Sequence, residues 1–167
     1  SLIVDNTQVL LRMLEAGKLD FVLVEGFFEG SRYETTLYRK EEFFGICPPG
    51  HRFAGRAISL MELESERILI REPGSGTRAI FEEALRRENR TLKSYPNVAT
   101  ISDFFTIKSL VADGLGVSFL YAPAVSGELE RGELVRFDLA ELPMSGAFSF
   151  VCLKDNLFAA DWIAWMQ

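Results

Sequence analysis

Histidine and cysteine are scarce in this chain of 167 residues, which contains one histidine, His51, and two cysteines, Cys47 and Cys152. A single histidine excludes any multi-histidine metal site. The two cysteines lie far apart in the sequence and form neither a CxxC motif nor a zinc-binding pattern. We therefore predict no metal ion and no cofactor, and we interpret both cysteines as reduced structural thiols of a cytoplasmic protein.

Long apolar runs and an excess of basic residues are also missing. No run approaches the roughly 20 apolar residues that a membrane-spanning helix needs, and no basic leader is visible at the start. Lysine and arginine number 18 against 24 acidic residues, a formal net charge of −6. Because affinity for DNA comes mostly from neutralising phosphates, these residues are not expected to bind nucleic acid themselves. Hydrophobic residues make up 48% of the chain, enough for the core of a globular protein.

Short apolar runs alternate with amphipathic stretches, which predicts an α/β fold. Residues 2–4 are predicted as a strand, residues 7–16 as a helix that ends at Gly17, and residues 21–24 as a parallel strand covered on both faces. The further predicted strands are 33–46, 68–70, 97–100, 117–120, 134–137 and 148–153, and the further predicted helices are 77–88, 102–112, a short one after Ser59 and a final one ending at Gln167.

One sequence pattern occurs twice. A helix end, a glycine and a buried strand follow one another over residues 14–24, and again over residues 111–120. This repetition favours two similar α/β lobes over one large sheet. We expect residues 1–46 and 134–167 to form lobe I and residues 47–133 to form lobe II, with a ligand cleft where the carboxyl ends of the strands face each other.

The segment 71–78, Arg-Glu-Pro-Gly-Ser-Gly-Thr-Arg, lies between a predicted strand and a predicted helix. Its glycines permit a positive φ, and Ser75 or Thr77 can cap the helix. The free N–H groups at the start of the helix, together with Arg78, would form an anion site. The spacing is not that of a nucleotide-binding P-loop. On these residues alone, a carboxylate or anion site and an ordinary capped turn remain equally open.

A second helix start has similar chemistry, with Thr100, Ser102 and Asp103 before Phe104 and Phe105. Read alone, this segment favours plain N-capping, and Asp103 argues against a bare anion at this helix start, although the two hydroxyls can still donate hydrogen bonds. If both helix starts face one cleft, their N–H groups and hydroxyls converge on a single small polar ligand.

No catalytic residue is predicted. The GxSxG motif of serine hydrolases is absent from the sequence, and His51 follows a Pro-Pro-Gly turn. Carboxylate pairs such as Glu82 and Glu83 fit a solvated helix face better than an acid–base couple. The chain is therefore predicted not to be an enzyme.

Five stretches, taken in order, resemble the C-terminal effector-binding domain of LysR-type transcription regulators: residues 14–24, 48–54, 71–78, 108–120 and 148–165. The third is similar to a motif found in a branch that includes regulators of carbon fixation and sulfur assimilation. The resemblance implies two Rossmann-like lobes joined by two crossover strands, the type 2 periplasmic-binding-protein-like fold. By position it places Ser75, Gly76, Thr77, Thr100 and Ser102 on the lobe II side of the cleft. Arg78 is added to these predicted effector-binding residues because of its charge.

The resemblance also implies partners and missing parts. The small-molecule effector is expected to be an anion or carboxylate, and DNA would be bound only by a helix-turn-helix domain outside this chain. That domain and the first strand and helix of lobe I should precede Ser1, so we expect a truncated protein. A cytoplasmic homodimer or homotetramer with no membrane partner is expected. A periplasmic-type solute-binding receptor and a dehydratase on a similar fold remain alternatives.

Overall fold

The computed structural model describes residues 2–26, 32–140, 144–154 and 156, and these ranges hold helices and strands in mixed α/β order. The helices are α1 Thr7–Glu15, α2 Gly76–Arg87, α3 Phe104–Ala112 and α4 Ala122–Glu130. The strands are β1 Val22–Glu25, β2 Tyr33–Cys47, β3 Ala57–Ile58, β4 Ile68–Ile70, β5 Val98–Thr100, β6 Val117–Tyr121, β7 Val135–Leu139 and β8 Met144–Leu153. Short 3-10 turns occupy Glu62–Ser65 and Leu92–Ser94. The predicted helix ending at Gln167 lies outside the described residues.

The strands share one hydrogen-bonded network in the order β1-β8-β2-β6-β4-β5, with β3 and β7 beside it. The molecule has two halves: the first holds α1, β1 and β8, and the second holds β4, β5, β6, α2 and α3. One hydrogen-bonded network joins them, so they are not separate sheets. The reason is the length of β2, which pairs with β8 from Tyr33 to Phe43 and with β6 and β7 from Phe43 to Cys47. One long strand thus carries the hydrogen bonding from the first half of the molecule into the second.

The second half has the strand and helix order of a Rossmann-like unit. β4 pairs in parallel with β5 on one side and with β6 on the other, and helices α2 and α3 make the two connections. The predicted strand at 68–70 is confirmed, and all three of its residues are buried. This arrangement places the starts of α2 and α3 beside the carboxyl ends of neighbouring strands, where ligands of open α/β sheets bind.

The first half differs from two sequence predictions. Residues 2–4 are not a strand: Leu2 is 90% exposed and Val4 is 85% exposed. β1 pairs with β8 in antiparallel register, and only one of its faces packs on α1, so Leu23 remains 42% exposed. The prediction of a parallel strand covered on both faces was wrong, because an apolar run alone does not show which strand will pair with it.

Separate hydrophobic clusters stabilise the two halves. In the first half, α1 packs on β1 and β8 through Leu10, Leu14, Val22 and Val151. In the second half, clusters cover both faces of the parallel strands: Phe81, Leu85, Phe119 and Phe137 on one face and Leu69, Ile107, Val111 and Val125 on the other. Packing on both faces explains why β4 is apolar throughout. No helix within the described ranges is long and apolar enough to cross a membrane.

Candidate functional site

The turn before α2 has the backbone geometry that its glycines predict. Gly74 has a φ of +91°, and α2 begins at Gly76 with Ser75 as its N-cap residue. The Ser75 side chain does not make the capping hydrogen bond. Its Oγ is buried, with the residue only 3% exposed, and has no hydrogen-bond partner among the described residues. Of the two residues that the sequence offers as caps, Ser75 or Thr77, Ser75 does not cap the helix with its side chain.

A glutamate from the other half of the molecule caps the helix instead. Glu25, the last residue of β1, accepts hydrogen bonds at Oε1 from the Thr77 N–H (3.1 Å) and from the Thr77 hydroxyl (2.6 Å). Its backbone carbonyl accepts a third hydrogen bond from the Thr7 hydroxyl (3.0 Å). The role predicted for Thr77, capping its own helix, is thus replaced by donation to Glu25.

The backbones of the two halves approach closely at this point. A Cβ atom added to Gly76 would lie 2.2 Å from the Glu25 carbonyl oxygen, and one added to Gly26 would lie 2.8 Å from the Gly76 Cα. Nearby, the Gln8 N–H donates to the Gly74 carbonyl (3.1 Å). The φ of Gly76 lies outside the left-handed region, so the backbone conformation does not require glycine there. The close contact between the halves does.

A cavity of about 580 Å³ opens beside the contact between halves, and its volume suits a small organic ligand. It is bordered by the starts of α1, α2 and α3, and its polar lining includes Thr7, Glu25, Arg71, Ser75 and Ser102. A smaller cavity of about 310 Å³ lies between α1 and α2. Thr7 and Ser75 line both cavities, so the two spaces are neighbours.

The predicted site residues are divided between these spaces. Ser75 and Ser102 line the larger cavity, while Gly76 and Arg78 line the smaller one. Thr77 is buried against Glu25, and Thr100 is exposed at the end of β5, outside the lining of both cavities. The Arg78 guanidinium bonds Glu82 (Nε to Oε1, 2.8 Å) and the Arg71 carbonyl (3.3 Å), so it is held along α2 rather than at the helix start.

Carboxylates outnumber cations in the larger cavity. Among the described residues, Asp5, Glu25, Glu72 and Asp103 line it, and the one cation is Arg71, which is 9% exposed. Arg71 already makes two hydrogen bonds to Glu72, at 2.8 and 3.1 Å. Its guanidinium carbon also lies 4.1 Å from the centre of the Phe104 ring. The charge of Arg71 is therefore largely committed within the protein.

The environment of each acid sets the direction in which its pKa shifts. Burial raises the pKa of Glu25 above its ordinary value, although the two hydrogen bonds from Thr77 and the charge of Arg71 oppose this effect. At the start of α3, Asp103 accepts hydrogen bonds from the N–H and hydroxyl of Thr106, both at 2.7 Å, which lower its pKa. The N-capping that the sequence favours for this helix start is confirmed, and the structure identifies the capping residue as Asp103.

Sequence reasoning did not find Glu25 or Thr7 as lining residues. The only signals were a glutamate directly after a buried run and a threonine at the start of a helix. Arg71 lies in the segment 71–78 that the sequence marks as a candidate anion site, and it lines the larger cavity. Within the described ranges, no group of three or more histidine, cysteine or acidic residues could hold a metal ion.

The model of the LysR substrate binding domain matches residues 1–167. The chain belongs to this family. The RuBisCO operon transcriptional regulator of Allochromatium vinosum is 32% identical over 141 residues, which are 84% of this chain and 46% of that protein. This LysR domain thus spans about half the length of the curated relatives it matches.

Solved structures show the fold. The regulatory domain of Synechocystis PCC6803 CcmR in complex with 2-PG matches with a TM-score of 0.83 and 22% identity, over 99% of this chain and 80% of that one. The effector binding domain of QuiR in complex with shikimate matches with a TM-score of 0.76 and 16% identity, over 90% and 70%. The two-lobe, periplasmic-binding-protein-like fold expected from the sequence is confirmed.

Proposed function

We propose that this LysR effector-binding domain holds a small metabolite in its larger cavity and passes the binding event to the rest of a transcription regulator. One observation carries the proposal: hydroxyl-bearing residues at three helix starts, Thr7, Ser75 and Ser102, line a single cavity between the two halves. Such a ligand changes the protein only if it binds one arrangement of the lobes better than another. The complexes of CcmR with 2-PG and of QuiR with shikimate support this use of the fold.

The proposed effector-binding residues keep the predicted set and add to it. Ser75 and Ser102 would contact the ligand directly, as would Thr7 and Arg71, which line the same cavity. Thr77 would act through its hydrogen bonds to Glu25. For the other three predicted residues, Gly76, Arg78 and Thr100, we propose roles around the site: Gly76 at the contact of the lobes, Arg78 at the smaller cavity, and Thr100 at the outer end of β5.

The two lobes are proposed to move about the strands that connect them. The predicted division is lobe I at 1–46 and 134–167 and lobe II at 47–133. In this division the chain first passes from lobe I to lobe II within β2. β7 pairs with β2 and with β3, which supports placing the other passage after β7 rather than at residue 134.

The whole protein is proposed to be a cytoplasmic regulator and not an enzyme. Its relatives are transcription regulators, which favours this function over a solute-binding receptor or a dehydratase. DNA would be contacted by a separate domain, because the net charge of −6 of this chain opposes binding to phosphates. A homodimer or homotetramer would carry the effector signal to paired DNA sites.

The test is stabilisation of the whole protein by a panel of small acids and neutral compounds, because a ligand specific to the folded state raises its melting temperature. A ligand that stabilises the protein should also change its affinity for promoter DNA. Ser102→Ala should weaken that ligand about tenfold through the loss of one hydrogen bond, whereas the matched change Ser126→Ala, on the exposed side of α4, should not. Equal effects of the two variants, or turnover of the ligand, would contradict the proposal.

A further inference from the structure

The start of α2 is occupied by a carboxylate of the protein itself. N–H groups in the first turn of a helix favour a negative charge, and here Glu25 supplies it through two hydrogen bonds to Thr77. Glu25 belongs to β1, whereas α2 follows β4, so the carboxylate reaches the helix from the opposite half of the molecule.

Beside this carboxylate there is a donor without a partner. Ser75 Oγ is buried and makes no hydrogen bond among the described residues, and Ser75 is one of the residues that line the larger cavity together with Glu25. A buried hydroxyl left unpaired is costly, so it points to a polar atom that belongs there in another state of the molecule.

Apart from the start of α2, the larger cavity offers little that attracts a free anion. Arg71 is paired with Glu72, and Asp5 and Asp103 add further negative charge to the lining. An anion that enters therefore meets like charges at short range, where the repulsion is only partly screened. The strongest remaining anion position is the one at Thr77 and Ser75, beside Glu25.

We propose that Glu25 is a tethered competitor that sets the charge selectivity of the cavity, so that an anionic group reaches the start of α2 only by taking the place of this carboxylate. The inference rests on the proposed function and specifies the class of ligand that the site accepts. A neutral hydroxylated ligand can use Ser75 while Glu25 stays in place. An anionic ligand must move Glu25 away or bind when Glu25 carries a proton.

Proton uptake follows from this competition. Protonation removes the negative charge that opposes the anion, so the affinity for an anion should rise as the pH falls through the pKa of Glu25. The charged and titratable groups that face Glu25 are Arg71 and Glu72 after β4 and Tyr121 at the end of β6. Asp5 and Asp103 line the same cavity. Replacing Glu25 alone separates its contribution from theirs.

The test measures binding of sulfate to the whole protein by calorimetry, since sulfate keeps a fixed charge over the pH range in which the protein is folded. In Glu25→Gln the side-chain carbonyl still accepts the Thr77 hydrogen bonds, so the fold is retained, and thermal melting checks this. We expect sulfate to bind about tenfold tighter or more, because a neutral acceptor holds the helix start less strongly than a charged one. The affinity should also become nearly independent of pH.

Two further variants locate the effect. Asp5→Asn removes one negative charge from the same cavity without touching α2, and it should change the affinity less than about threefold and keep the pH dependence. Ser75→Ala added to Glu25→Gln should remove most of the gain in sulfate affinity, because it deletes the Ser75 hydroxyl.

The outcomes separate this inference from the proposed function. If Glu25→Gln binds sulfate no tighter than the wild type, or keeps its pH dependence, Glu25 is not a competitor. If neither the wild type nor Glu25→Gln binds sulfate while a neutral compound binds the cavity, the proposal that Glu25 is a competitor is also disproved, and the effector role stands. If Glu25→Gln gains sulfate affinity but no metabolite alters DNA binding, the effector role fails and the competitor stands.

Discussion

Replacing Gly76 by alanine tests the contact between the two halves directly. Alanine in a helix is favoured over glycine by about 1 kcal/mol, so an isolated α2 would be stabilised by this change. In the folded molecule the new Cβ would lie 2.2 Å from the Glu25 carbonyl oxygen and 2.6 Å from its carbonyl carbon. These are backbone atoms that cannot rotate away. Overpacking of this kind costs about 1–3 kcal/mol, and the separation also weakens the hydrogen bonds from Thr77.

We therefore expect Gly76→Ala to lower the free energy of unfolding by about 1–3 kcal/mol, because overpacking and the weakened hydrogen bonds from Thr77 together outweigh the gain in helix propensity. Equilibrium urea unfolding of the whole protein measures this change. Gly127→Ala, in α4, is the matched control: its Cβ would meet only the flexible end of Arg131, at 3.1 Å, and it should stabilise the protein by up to about 1 kcal/mol. If both variants are stabilised alike, the halves do not touch at Glu25 and the geometry of the site is wrong.

Three further predictions concern buried polar groups. Thr77→Val, which loses the hydroxyl bond to Glu25, should lower the free energy of unfolding by about 1.5–3 kcal/mol in urea unfolding, while Thr77→Ser should retain most of it. Burial raises the pKa of Glu25 in the folded state, so the charged form of Glu25 destabilises the protein at neutral pH, and this penalty disappears on acidification. Urea unfolding at about pH 8 and about pH 5 should therefore show that the wild type gains stability relative to Glu25→Gln at the lower pH. Tyr121→Phe removes a buried hydroxyl that has no partner among the described residues and should leave the melting temperature unchanged or raised, whereas Tyr95→Phe, which loses a bond to the Leu60 carbonyl, should lower it. Equal changes at Tyr121 and Tyr95, an absent pH effect, or a Thr77→Ser variant as unstable as Thr77→Val would each count against this account.

Much of the second half could be predicted because its signals are local. A fully apolar run predicts β4, and a glycine turn predicts the start of α2. The same holds for α1 of the first half, which Gly17 ends with a φ of +66°. α4, which contains Pro123 and Gly127, was not predicted from the sequence. Proline in the first turn is a normal helix start, and the helix is stabilised by burial of Val125 in the core rather than by its own propensity.

The pairing of β1 could not be predicted in the same way. Its partner β8 lies more than a hundred residues away, and the alternation of buried and exposed residues is short in a strand of four residues. An apolar run of this length is equally compatible with a strand covered on one face or on both.

The site shows the same limit of local reasoning with a consequence for function. The sequence of the turn before α2 leaves an anion site and an ordinary capped turn equally open, and the structure places a carboxyl group at the helix start. That group belongs to Glu25, which is 52 residues away in the chain. A helix start attracts whichever negative charge the fold brings nearest, and a tethered carboxylate is present at a far higher effective concentration than a free metabolite. Affinity for an anionic effector in this LysR domain is therefore set less by the glycine- and hydroxyl-rich turn than by how easily β1 can withdraw its last side chain.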